Sequence, residues 1–107
     1  MDLMEEKQAR EIVLLDVRKA PAGALADYFV ICTSDSVRQT EAILEAVAIG
    51  LRKEGVLPMR NPEGSADAGW ILLDYLDVVA HVFDAPTRRF YRLEELWKDA
   101  QVVLKMQ

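Results

Sequence analysis

The sequence predicts an α/β fold: a single domain spanning residues 1–107, in which a mixed sheet of about five strands is flanked by helices. Three observations lead to it. β-Branched and aromatic runs of strand length recur along the chain, as in IVLLDV and DYFVICT. One long segment instead repeats its apolar residues at helical spacing. Proline, glycine and polar residues break the chain between these runs. With 107 residues, 51% of them hydrophobic, the chain can bury one core of modest size.

Residues 1–9 read as a short helical turn. Residues 12–17 (IVLLDV) are the first expected strand, and 18–25 (RKAPAGAL), with Pro21 and Gly23, a loop. Residues 27–33 (DYFVICT) are a buried strand by composition. Ser36 followed three residues later by Gln39 fits a capping box, so a helix is expected to begin there. Val37, Thr40, Ile43, Leu44, Val47 and Leu51 form its apolar stripe, with Arg38, Glu41, Glu45 and Arg52 off it. Gly55 is the expected stop. Residues 56–60 (VLPMR) read as a short strand that Pro58 confines to an edge or a bulge, and 61–69 (NPEGSADAG) as a polar loop. Residues 70–74 (WILLD) and 77–83 (DVVAHVF) form a hairpin around Tyr75 and Leu76. Pro86 opens a last helix through RRFYRLEELWKDA, since proline suits a first helical turn. The apolar tail 102–107 has no assigned state.

Charge excludes several function classes. The net charge is −5, and the densest basic stretch, Arg88, Arg89 and Arg92, is surrounded by Asp84, Glu94 and Glu95. Binding driven by phosphate contacts needs clustered Lys and Arg, so little direct nucleic-acid contact is expected. An acidic protein working near RNA would grip a basic protein partner, charge complementarity steering the encounter. The acidic excess is uneven: residues 1–50 carry 5 basic and 9 acidic groups, residues 51–107 carry 8 and 9. The single cysteine, Cys32, gives no disulfide and no cysteine-based zinc site, and reads as a small core residue. The acidic start, MDLMEEKQAR, lacks a signal peptide's basic and apolar regions, and no apolar run could span a bilayer. The cytoplasm is the expected compartment.

The hairpin carries the candidate site. With Tyr75 and Leu76 as its turn, Asp74 faces Asp77, Leu72 faces Val79 and Trp70 faces His81 on one side. Ile71, Leu73, Val78, Ala80 and Val82 form a plain core face on the other. Opposed carboxylates repel each other, and three readings of Asp74 and Asp77 follow. Both end their strands in solvent, as Asp does near turns; both meet a Lys or Arg of a partner; or both hold Mg²⁺. The last would make a nucleotidyltransferase-like enzyme, yet the nearby CTSDS loop has no glycine to cradle a phosphate and adds a carboxylate at Asp35. No metal or cofactor is therefore expected. His81 reads as a packed, hydrogen-bonded strand residue, since no nucleophile or metal-ligand partner stands at a known spacing. Trp70 either caps the core or anchors an interface, where Trp, Tyr and Arg dominate. In the last helix Phe90, Leu93, Leu96 and Trp97 supply a core stripe, which leaves Tyr91 exposed.

The stretches DYFVICTSDSVRQ (27–39), NPEGSADAGWILLDYLDVVAHVF (61–83) and RRFYRLEELWKDA (88–100), with IVLLDV (12–17) as first strand, resemble the Iojap family of ribosomal silencing factors. The match runs across roughly residues 10–100 and is specific because several motifs follow in order at the right spacing. The resemblance implies a mixed-sheet domain related to the nucleotidyltransferase fold without its catalytic motif. It implies no enzymatic activity, but binding to ribosomal protein fourteen of the large subunit. Subunit joining is then blocked and translation repressed when nutrients are scarce. A homodimer is also implied. So are contact roles for Trp70 and Tyr91, with Asp74, Leu76 and Asp77 at the hairpin turn suiting a basic ribosomal protein. Two positions depart from the family: Ser34 and Leu76 stand where glycine is usual. Gly permits a positive φ without steric cost, so Leu76 must bear that cost or change the turn. The N-terminus is shorter than many relatives carry, which leads us to expect no amphipathic first helix.

Overall fold

A computed structural model describes residues 3–4, 7–18, 27–58, 61–91 and 101–106. Its strands are β1 (Arg10–Asp16), β2 (Tyr28–Ser34), β3 (Glu63–Ser65), β4 (Trp70–Asp74), β5 (Val78–Asp84) and β6 (Gln101–Met106), and its helices α1 (Val37–Lys53) and α2 (Ala85–Tyr91). The strands form one sheet in the order β3-β4-β5-β2-β1-β6. β2 and β5 pair in parallel at its centre, and every other neighbouring pair is antiparallel. The sheet is thus mixed, as expected, and holds six strands among the described residues.

The extra strand comes from the tail: residues 101–106 pair with β1, Asp16 opposite Gln101. The edge strand expected at 56–60 is absent from its described part, because 56–58 has no regular structure; residues 59–60 lie outside the described residues. β3 forms instead, inside the stretch expected to be a loop. Its polar residues give no strand pattern of their own, and pairing with β4 holds them extended. Gly64 is required there: its φ is 85°, and a Cβ would stand 2.1 Å from the Trp70 carbonyl oxygen. Of the expected N-terminal turn, residues 3–4 are helical, and Met4 is buried.

α1 follows the signals in its sequence. Ser36 caps it, its hydroxyl accepting from the Gln39 N–H at 3.0 Å. The Gln39 side chain returns to the Asp35 N–H, one residue before the usual capping-box partner, and donates to the carbonyls of Lys7 and Gln8. At the other end the N–H groups of Gly55 and Val56 reach back to the carbonyls of Arg52 and Leu51, a Schellman stop with Gly55 at φ 80°. Thr40, Ile43 and Val47 are buried, whereas Val37, at the first turn, is exposed. Ser34, standing where the resemblance leads one to expect glycine, is fully buried, and its hydroxyl pairs with Thr40 Oγ1 and reaches the Ser36 carbonyl at 3.3 Å.

The sheet is apolar on both faces. On one, Ile71, Leu73, Ala80, Val82, Val30 and Cys32 meet Ile43 and Val47 of α1. Burial pushes the Cys32 thiol up to about 12, so it stays protonated as an inert core group. On the other, Val13, Leu15, Val17, Ile31 and Phe83 cluster with Phe29 and Trp70. α2 approaches this second face, where Arg88, a buried cation, donates to the Thr33 hydroxyl and the Glu11 carbonyl, both at 2.7 Å. Phe90, expected in the core stripe, is 79% exposed. The helix turns Arg88 inward in its place, because Thr33 and the Glu11 carbonyl satisfy the guanidinium. Leu93, Leu96 and Trp97 lie outside the described residues.

Candidate functional site

The hairpin β4–β5 brings together most of the residues singled out above. Its faces divide as the alternation predicts, but its register is shifted by two residues. Trp70 pairs with Phe83, Leu72 with His81, and Asp74 with Val79. Tyr75 donates its N–H to the Val78 carbonyl at 2.9 Å, so the two-residue loop is Leu76 and Asp77, not Tyr75 and Leu76. Asp74 and Asp77 are consequently not cross-strand partners, and no opposed pair of carboxylates calls for a cation. Among the described residues no group of three His, Cys, Asp or Glu side chains could hold a metal ion.

The turn is built by Asp74. Its Oδ1 accepts the Leu76 N–H at 2.9 Å, a local bond that Asp makes readily at turns. Leu76 adopts φ 73°, the conformation that favours glycine, and its side chain is 55% exposed. Such a conformation costs a non-glycine residue roughly 1–2 kcal/mol. Asp77 is exposed at the tip, while its carbonyl accepts from the N–H groups of Asp27 and Tyr28 and fastens the turn to the start of β2.

At the far end of β4, about 13 Å away at ~3.3 Å per residue, Trp70 is half-buried on the second face. Gly69 precedes it at φ 83°, where a Cβ would stand 2.4 Å from Thr87 Oγ1 and 2.5 Å from Asp84 Oδ2. Asp84 in turn accepts the Thr87 N–H at 2.8 Å and so starts α2. The indole stacks on Phe83, ring centroids 4.8 Å apart, and its Nε1–H donates to His81 Nδ1 at 3.2 Å. His81 is buried against Phe29 as well, edge to face at 4.9 Å. Burial lowers its pKa to about 4, so the ring is neutral at physiological pH. With Nδ1 accepting, the proton sits on Nε2, which has no hydrogen-bond partner among the described residues. Leaving such a group unpaired costs about 1–3 kcal/mol.

A pocket of about 280 Å³ opens beside the indole, with Leu72 and Ala68 on its walls and Thr87 of α2 at its edge. Tyr91 ends α2 one turn beyond Thr87, and its side chain lies outside the described residues. No helix among the described residues is long and apolar enough to cross a membrane.

The family model described as ribosomal silencing factor during starvation matches residues 1–107. The chain belongs to the ribosomal silencing factor family. It is 38% identical over 96 residues to the ribosomal silencing factor RsfS of Bacillus subtilis, covering 90% of this chain and 79% of that one. To RsfS of Halalkalibacterium halodurans it is 34% identical over 103 residues, covering 96% and 86%. The crystal structure of protein CV0518 from Chromobacterium violaceum superposes with a TM-score of 0.83 at 32% identity, covering 91% of this chain and 78% of that one.

Within this silencing-factor domain the structure sets four of the predicted residues, Trp70, Asp74, Leu76 and Asp77, along one hairpin, grouped at its two ends. Of two side chains that organise the second face, His81 is packed and hydrogen-bonded as expected, whereas Arg88 was not singled out. Arg88 sits in a basic stretch surrounded by acidic residues, and nothing in its spacing signals burial. The bond between His81 and Trp70 was hidden by the register, which depends on the turn at Leu76; alternation alone placed both rings on one face.

Proposed function

We propose that this protein binds the large ribosomal subunit through large-subunit ribosomal protein fourteen, sterically blocks subunit joining, and thereby represses translation under nutrient limitation. It acts in the cytoplasm by occlusion and catalyses no reaction. The observation that carries this reading is the family match over residues 1–107. The surface chemistry suits it. The half-buried Trp70 offers an aromatic anchor that is already held in place, and such anchors dominate interface energetics. Leu76 and Asp77 are exposed at the other end of the same hairpin, beside Asp74. A net charge of −5 favours a basic ribosomal protein over RNA. The proposed contact set is Trp70, Asp74, Leu76, Asp77 and Tyr91, and a homodimer is part of the proposal.

Co-sedimentation with isolated large subunits tests this directly. The protein is expected to migrate with the large subunit and to reduce the yield of joined ribosomes when small subunits are added. Trp70→Ala should weaken co-sedimentation while a melting curve still shows a cooperative transition. Migration apart from the large subunit, or unaltered subunit joining, would refute the proposal. Sedimentation equilibrium of the free protein decides the dimer.

A further inference from the structure

Among the described residues three aromatic rings surround His81: Phe29 at 4.9 Å, Trp70 at 5.9 Å and Phe83 at 6.1 Å between centroids. The residue is 4% exposed, and its Nε2 has no hydrogen-bond partner among the described residues. A leucine or phenylalanine at this position would fill an apolar site without burying a ring nitrogen of its own. What the imidazole does that a hydrocarbon cannot is accept the indole N–H of Trp70, at 3.2 Å. That bond and the stack on Phe83 act together. The stack fixes the plane of the indole, and the bond fixes which edge turns inward. A half-turn of the indole within the same plane would satisfy the stack but would carry the N–H away from His81.

We infer that His81 is a positioning residue, which locks the Trp70 indole with its N–H turned inward and so restricts the partner's contact there to an aliphatic or cationic side chain of a protein. This inference rests on the reading of Trp70 as a ribosomal contact. The chemistry follows from the bond. With its one donor engaged inside the domain, the part of the indole that remains exposed offers π surface and C–H edges. A phosphate or a carbonyl needs a donor and finds none on that ring, whereas an alkyl chain or a guanidinium matches it. The adjoining pocket, with Leu72 and Ala68 on its walls, has the size and apolarity to take the stem of such a chain.

The test uses the full chain and isolated large subunits. His81→Phe removes the acceptor and keeps an aromatic ring; His81→Asn places an amide oxygen close to the position of Nδ1. Affinity for large subunits is measured beside the melting temperature and the Trp70 indole N–H resonance, assigned by its absence in Trp70→Phe. His81→Phe is expected to melt no lower than the parent, to shift the indole resonance, and to bind about five- to tenfold more weakly, the cost of immobilising one freed side chain. His81→Asn is expected to recover most of the affinity. Parental affinity in His81→Phe, with Trp70→Ala clearly weakened, would overturn this inference alone. Parental affinity in Trp70→Ala would overturn the contact reading beneath it.

Discussion

The Asp74 carboxylate accepts the backbone N–H of Leu76 at 2.9 Å and holds a leucine at φ 73° in the tip of the hairpin. The side chain pays a steric cost for that conformation which glycine would not. Leu76→Gly should therefore raise stability by about 1 kcal/mol, the relieved strain exceeding glycine's extra chain entropy. For a domain of this size that corresponds to a rise of roughly 4–8 °C in melting temperature. If Leu76 is also a contact residue, the same variant binds large subunits more weakly while being more stable. A fall in melting temperature would show that the turn carries no strain.

Arg88 joins α2 to two strands through the Thr33 hydroxyl and the Glu11 carbonyl. Glu11 has φ 50° and lies where the β1–β2 register shifts, so the guanidinium also braces an irregular stretch of β1. Arg88→Met keeps the length of the side chain and leaves two buried acceptors without this donor. We expect a loss of about 2–4 kcal/mol, read as a lower denaturant midpoint with an unchanged slope. A loss below ~0.5 kcal/mol, the level of an ordinary surface substitution, would contradict the bracing role.

Stability should fall on mild acidification, with His81 as the cause. Its folded pKa of about 4 lies below the ~6.5 of an exposed histidine. The unfolded chain therefore takes up the proton first as pH drops. This contribution is complete above about pH 6.5 and is lost progressively toward pH 4, by up to about 3 kcal/mol. The sequence holds one histidine, so between pH 6.5 and 5 the slope belongs chiefly to it. Urea midpoints at pH 7.5, 6 and 5 should decline in the parent and stay nearly level in His81→Phe; parallel declines would exclude this assignment.

Gly69 gives the chain its path between Asp84 and Trp70. A methyl group there meets Thr87 Oγ1 and Asp84 Oδ2 at 2.4 and 2.5 Å, at a φ of 83° that alanine disfavours. Gly69→Ala should cost roughly 2 kcal/mol or more. It should also change Trp70 fluorescence, because the start of α2 and the indole must move apart. An unchanged spectrum and melting temperature would mean that the loop relaxes freely.

Much of this architecture was legible because local and tertiary preferences agree. The stripe from Thr40 to Val47, the Ser36 cap and the Gly55 stop all describe the helix that forms. The alternation in β4 assigned Ile71 and Leu73 to the core. Where tertiary pairing decides alone, the sequence was silent. Glu63, Gly64 and Ser65 carry no strand pattern and are extended only because β4 lies beside them. The hairpin register depended on which residue accepts a positive φ, and a leucine in that place gives no warning. The aromatic and acidic residues of the site could be named from their types; that Trp70 leans on His81 required the register.

The parallel pairing of Tyr28 with Val78 and of Ser34 with Asp84 joins segments about half the chain apart. Closing that loop costs entropy before any contact repays it. The central strands should therefore meet late, after α1 and the β4–β5 hairpin have formed from neighbouring residues, and refolding should take milliseconds or longer, as for mixed topologies. Until then both apolar surfaces of β2 stand open to water, and the nascent chain is at its most prone to aggregate.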